Sequence, residues 1–169
     1  TDSAVFRACI PVSCGGLLSL VSTHDEERGQ DVVFCGCGDG KLKLLAGQDL
    51  DWEMLAETTL AGQVRSLDLA TAKALLTAGT SAGTIYRRDA RPRAGGSGGG
   101  DDGRGGRPLS SSHTGPIRCM AYGESNERFV TGSEDGLLRE WELSHCARRA
   151  PSLSLAWRSP PTALDAPAL

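Results

Sequence analysis

Three stretches of this chain can be laid one under another: "VFCGCGDGKLKLLA" from Val33, "LLTAGTSAGTIYRRD" from Leu75 and "FVTGSEDGLLREWE" from Phe129. In each, an alternating apolar run reaches a glycine, a short step leads to a turn ending in a second glycine, and another alternating run follows. The turn glycines are Gly40, Gly83 and Gly136, which stand 43 and 53 residues apart. Each copy is preceded by one more strand-like segment: "GGLLSL", "GQVRSLDL" and "GPIRCMAY". Long helical periodicity is scarce, and Gly, Asp, Ser and Asn punctuate the runs as in an antiparallel all-β chain.

The first spacing matches the roughly 40–45 residues of one four-stranded propeller blade. The second is longer by about the length of "AGGSGGGDDGRGG", Ala94 to Gly106, a low-complexity insert unable to build a packed strand. Strands are expected at Leu17–Val21, Val32–Cys37, Lys41–Leu45, Val64–Leu69, Ala74–Gly79, Thr84–Arg88, Ile117–Tyr122, Arg128–Gly132 and Leu137–Leu143. A further one is expected at Leu153–Trp157. The expected fold is an all-β propeller of about three blades, each of four antiparallel strands. Closed propellers have four to eight blades, so the chain is expected to be part of a larger one and to aggregate or dimerise alone.

The expected division is a remnant of a preceding blade at 1–16, blade one at 17–62 and blade two at 63–112 with its Gly-rich insert at 94–106. Blade three follows at 113–157 and a disordered tail at 158–169. Thr1 in place of a methionine fits an incomplete gene model or a trimmed fragment, and the tail fits a misread exon boundary.

The run "HTGPIRCMAYGESNERFVTGSEDGLLREWEL", His113 to Leu143, resembles the WD-repeat family. That family places a His before the first strand, a Ser or Thr in the second, an Asp in the following turn and a Trp ending the third. His113, Thr131, Asp135 and Trp141 occupy those positions, with Glu142 where the family has Asp. The resemblance implies a structural tetrad, a buried relay from carboxylate through imidazole to hydroxyl and indole. The first copy keeps Asp39 and Gly40 but has Cys35 and Leu45 for the hydroxyl residue and the Trp; the second has Ala78, Ala82 and Arg88. Those two blades are expected to hold by apolar packing and strand pairing alone.

More narrowly, "CGDGKLKLL", "LAGQVRSLDL", "TAGTSAGTIYR" and "SSSHTGPIRCMAY" resemble one region of the cilia- and flagella-associated protein 52 group of WD-repeat proteins, over about Val32 to Leu143. This resemblance implies a non-catalytic scaffold in the cytoplasm, in the axoneme of cilia or flagella, bound to tubulin or axonemal proteins on doublet microtubules and needed for motility. The alternative is a general WD-repeat adaptor in a ubiquitin-ligase or signalling assembly.

Other chemistries find little support. With 18 basic and 21 acidic residues the chain has no large basic footprint for nucleic acid, and no run of 18 apolar residues would span a membrane. A phosphate loop at Gly36–Gly40 fails because Leu42 stands where GxxxxGK[ST] needs a hydroxyl, and "DGKLKLL" alternates like a strand. A single "GRGG" at Gly103–Gly106 behind Asp101 and Asp102 is better read as a solvated loop than as an RNA-binding segment. Ser111, His113 and Asp135 lack a nucleophile elbow. His24 with Asp25, Glu26 and Glu27 suggests metal, yet "STHDEERGQD" reads more simply as a solvated loop.

Cys9, Cys14, Cys35, Cys37, Cys119 and Cys146 show no metal-ligand rhythm and are expected as reduced thiols packed in strands. Arg87, Arg88, Arg91 and Arg93 either meet an acidic surface such as a microtubule or keep an exposed edge soluble. No catalytic residue, metal, cofactor or small-molecule substrate is expected, and other proteins are the expected partners.

Overall fold

A computed structural model describes residues 9–12, 15–48, 51–91, 107–109, 113–143 and 153–155. Twelve strands are present among them. The first four are β1 (Leu17–Asp25), β2 (Gln30–Cys37), β3 (Lys41–Gln48) and β4 (Asp51–Thr59). Next come β5 (Val64–Ala70), β6 (Leu75–Thr80), β7 (Ile85–Asp89) and β8 (Arg107–Leu109). The last four are β9 (Ile117–Tyr122), β10 (Arg128–Ser133), β11 (Leu138–Leu143) and β12 (Leu153–Leu155). They form three four-stranded antiparallel meanders in strict chain order, β1–β4, β5–β8 and β9–β12, referred to below as blades 1, 2 and 3.

Each first strand carries a β-bulge at the same place. The register slips between Leu17 and Ser19, between Val64 and Ser66, and at the Ile117–Cys119 step. A bulge lets two residues on one strand oppose one on its neighbour and sharpens the local twist. Here it sets Ser19, Ser66 and Cys119 opposite Gly36, Gly79 and Gly132. Strand β5 packs against β1 and β2, and β9 against β5 and β6, so the blades stack face to face through their first strands.

Alternation divides each blade into a face toward the blade before it and a face toward the blade after it. Phe34, Leu42 and Leu44 of blade 1 meet Val64, Leu69, Leu76 and Ala78 of blade 2 in the largest apolar cluster. Ile85 of blade 2 meets Ile117, Phe129, Trp141 and Leu143 of blade 3 in a second. Cys35, Cys37 and Leu45 form a third on the other side of blade 1, covered by Val12. These two blade 1 thiols thus sit in an apolar cluster, with Cys37 Sγ 3.7 Å from the Cys35 carbonyl.

Several expectations need correction. The fourth strands β4 and β8 carry no alternation strong enough to stand out: β4 is half-exposed along its length, and its pairing with β3 slips between Leu44 and Leu45. The stretch around His24 is not a loop. β1 runs through Asp25 and β2 resumes at Gln30, and the His24 imidazole meets the Asp31 carboxylate at 2.8 Å across the pair. Ala74 is not in a strand but closes a short 3-10 turn, Thr71–Lys73, at φ 47°. The insert 94–106, the tail 158–169 and most of 1–16 lie outside the described residues.

Candidate functional site

The tetrad forms where blade 3 meets blade 2. His113 lies just ahead of β9, Thr131 in the middle of β10, Asp135 in the β10–β11 turn and Trp141 in β11. The His113 Nδ1 is 2.8 Å from Asp135 Oδ2, and its Nε2 is 2.8 Å from Thr131 Oγ1. Trp141 Nε1 donates to the same hydroxyl at 2.9 Å. Thr131 has one proton to give. Accepting from the indole, it donates that proton to His113 Nε2, which leaves the imidazole's own proton on Nδ1, facing the carboxylate.

Asp135 is held on both oxygens. Oδ2 also accepts the Thr114 N–H at 3.1 Å, and Oδ1 accepts the Leu137 N–H at 3.0 Å. Burial alone would raise this carboxyl. The hydrogen bonds from His113, Leu137 and Thr114 outweigh it and bring the pKa from 3.8 down to about 2. Every polar atom of the relay is engaged inside the protein, so its chemistry is that of a clamp. Ser111, the third member of a conceivable triad, lies outside the described residues.

The three turn glycines share one conformation, with φ of 84° at Gly40, 74° at Gly83 and 78° at Gly136. This left-handed region is open to glycine and strained for other residues. Asp39 Oδ1 accepts the Lys41 N–H at 3.0 Å, the same turn bond that Asp135 makes to Leu137. The glycine-rich stretch Gly36–Gly40 is therefore the β2–β3 hairpin. In blade 2, Ala82 has no such carboxylate, and Ser81 ties the turn instead: its hydroxyl accepts, and its N–H donates, 2.9 Å bonds to the Gln63 backbone.

Blade 2 does not hold by apolar packing alone. Thr77, fully buried, meets the Tyr122 hydroxyl of blade 3 at 2.5 Å. Asp68 accepts the Tyr122 N–H at 2.6 Å. Burial lowers the pKa of the neighbouring Arg87, and Tyr122 works against that shift. This second polar seam was hidden in the sequence, where only an Asp in the alternating run "VRSLDLA" hinted at it. Toward blade 1, Arg88 reaches the Thr58 hydroxyl at 3.3 Å and the Ala61 N–H donates to the Tyr86 hydroxyl at 3.2 Å.

The arginine run does not make a patch. Arg87 is buried, Arg88 is partly buried on Thr58, Arg91 is exposed, and Arg93 lies outside the described residues. Among the described residues no group of three or more His, Cys, Asp or Glu is placed to hold a metal. A cleft of about 430 Å³ opens between blades 1 and 2 beside His24, Asp25, Leu69 and Ala90.

Residues 106–142 match the family described as WD domain, G-beta repeat. The match begins one residue ahead of β8, the outermost strand of blade 2, and runs into the third strand of blade 3. No curated protein matches the chain. Among solved structures, the WD40 β-propeller domain of Doa1 is similar at 21% identity and TM-score 0.56, covering 75% of this chain and 37% of that one. Chaetomium thermophilum Sqt1, bound to the N-terminus of ribosomal protein L10, is similar at 20% identity and TM-score 0.56, covering 76% of this chain and 32% of that one. The chain thus spans about a third of those structures. Three antiparallel blades stacked through their first strands have the fold of a partial β-propeller, and residues 106–142 carry a WD repeat.

Proposed function

We propose that the chain is a non-catalytic protein-binding scaffold. The observation that carries this reading is the closed relay of His113, Thr131, Asp135 and Trp141, whose polar groups are spent on fixing turns. Rigid blades then present the β2–β3, β6–β7 and β10–β11 turns on one rim. A solved neighbour of the same fold is bound to the N-terminus of a ribosomal protein, which supports a protein-binding use of the fold.

Within that class the scaffold belongs to the axoneme of cilia or flagella, on doublet microtubules. Support for this placement comes from the Gly38-Asp39-Gly40 turn, the "GTIYR" blade and the "SSSHTG" approach to blade 3. Co-sedimentation of the full-length protein with doublet microtubules tests it. Pelleting that saturates and survives moderate salt is expected; a protein left in the supernatant defeats the axonemal placement and turns attention to the adaptor role.

A further inference from the structure

The extra residue of each first-strand bulge is Leu18 in blade 1, Arg65 in blade 2 and Arg118 in blade 3. A bulge re-aims the side chain that it adds to the strand. Two residues ahead of it, the carbonyls of Gly16, Gln63 and Pro116 accept the N–H groups of Gly38, Ser81 and Glu134, at 2.9, 2.9 and 3.0 Å. One repeated backbone bond thus ties the same turn position to each bulge, on the rim formed by the β2–β3, β6–β7 and β10–β11 turns.

In blade 3 that turn position supplies a counter-charge. Arg118 gives its Nε–Nη2 edge to the Glu134 carboxylate. Blade 2 keeps the arginine and lacks the acid. The Ser81 hydroxyl, standing in the place of Glu134, is spent on the Gln63 N–H at 2.9 Å. Arg65 Nη2 donates to the neutral Gln63 Oε1 at 2.6 Å, and its Nε is buried with no hydrogen-bond partner among the described residues. This edge of a guanidinium matches the two oxygens of a carboxylate, and one amide oxygen satisfies half of it.

We propose that Arg65 reads an acidic side chain of the protein that the scaffold binds. A Glu or Asp carboxylate of the partner displaces the Gln63 amide and takes the Nε–Nη2 edge, as Glu134 does at Arg118. The pair already built in blade 3 supplies the template. Leu18, 43% exposed at the equivalent place in blade 1, offers an apolar surface for a neighbouring side chain of the same segment. The partner that fits is a peptide segment with an acidic residue flanked by an apolar one. The inference rests on the protein-binding reading above and names the chemistry of what is bound.

The experiment selects a random peptide library displayed on phage against the chain, then measures synthetic copies of the selected peptides, amidated at the C-terminus, by fluorescence polarisation. Selected peptides should be enriched in Glu or Asp beside an apolar residue. Two variants remove the site by different routes: Arg65→Gln deletes the charge, and Ser81→Glu keeps Arg65 but supplies it with the internal carboxylate of blade 3. Each should weaken binding by roughly tenfold or more. Glutamine in place of the peptide's acid should weaken binding to the parent by a similar factor and to the variants hardly at all. Peptides without acidic preference, acidic peptides held equally by parent and variants, or peptides that bind only with a free C-terminal carboxylate overturn the proposal and leave the protein-binding reading standing. A library that yields no binder overturns both.

Discussion

Trp141 and Thr131, on neighbouring strands of blade 3, are joined by an indole-to-hydroxyl hydrogen bond of 2.9 Å, and Thr131 is fully buried. Replacing the hydroxyl with a methyl of the same shape strands two buried partners, the indole N–H and His113 Nε2. Thr131→Val should therefore lower stability by about 1–3 kcal/mol. Thr131→Ser should recover most of it. Urea unfolding followed by tryptophan fluorescence reads both, and a valine variant with an unchanged midpoint would remove the relay from the account of blade 3.

Acid should open the same clamp. Asp135 has a pKa of about 2 when folded, against 3.8 ordinarily, so the unfolded chain binds the extra proton in between. Its stabilising contribution is complete above about pH 5 and is lost as pH falls through 4 toward 2. Asp135→Asn should be less stable at neutral pH and show a flatter midpoint over that window. Parallel slopes for the two proteins would contradict the assignment.

The turn glycines should tolerate alanine unequally. At Gly136 the added methyl enters open space, so the cost is the left-handed backbone alone, about 1–2 kcal/mol. At Gly83 the methyl would also run into the His113 carbonyl. Gly83→Ala should thus be clearly the more damaging change in thermal melts, and equal losses would refute the close approach.

The seam between blades 2 and 3 lends itself to a double-mutant cycle. Tyr122→Phe and Thr77→Val each leave a buried hydroxyl unpaired and should each cost about 1–3 kcal/mol. Together they should cost less than the sum, since the double variant leaves neither hydroxyl behind. Strict additivity would mean that the 2.5 Å contact does not couple the blades.

The repeat and the tetrad were legible because each rests on local chemistry: alternation, turn glycines, and a His, Thr, Asp and Trp at fixed steps. The outer strands were not. Asp51–Thr59 pairs on one side and meets solvent along much of its length, so nothing forces an apolar period on it. Arg87 misled for the converse reason. A charge in a sequence signals exposure, and only the arrival of Tyr122 from 35 residues downstream makes a buried place for it. Asp68 stood out in its alternating run but did not name its partner, since its hydrogen-bond donor is the backbone of another blade.

The two joints mix apolar and polar contacts in different proportions. Phe34, Leu42, Leu44, Leu69 and Leu76 make the first one mainly apolar, while the second adds to its smaller cluster around Ile117 and Phe129 a hydrogen-bonded seam of Asp68, Thr77 and Tyr122. Apolar contacts weaken on cooling. Temperature therefore acts on this stack unevenly: chilling loosens both joints, and the one between blades 1 and 2, with the larger apolar share, the more.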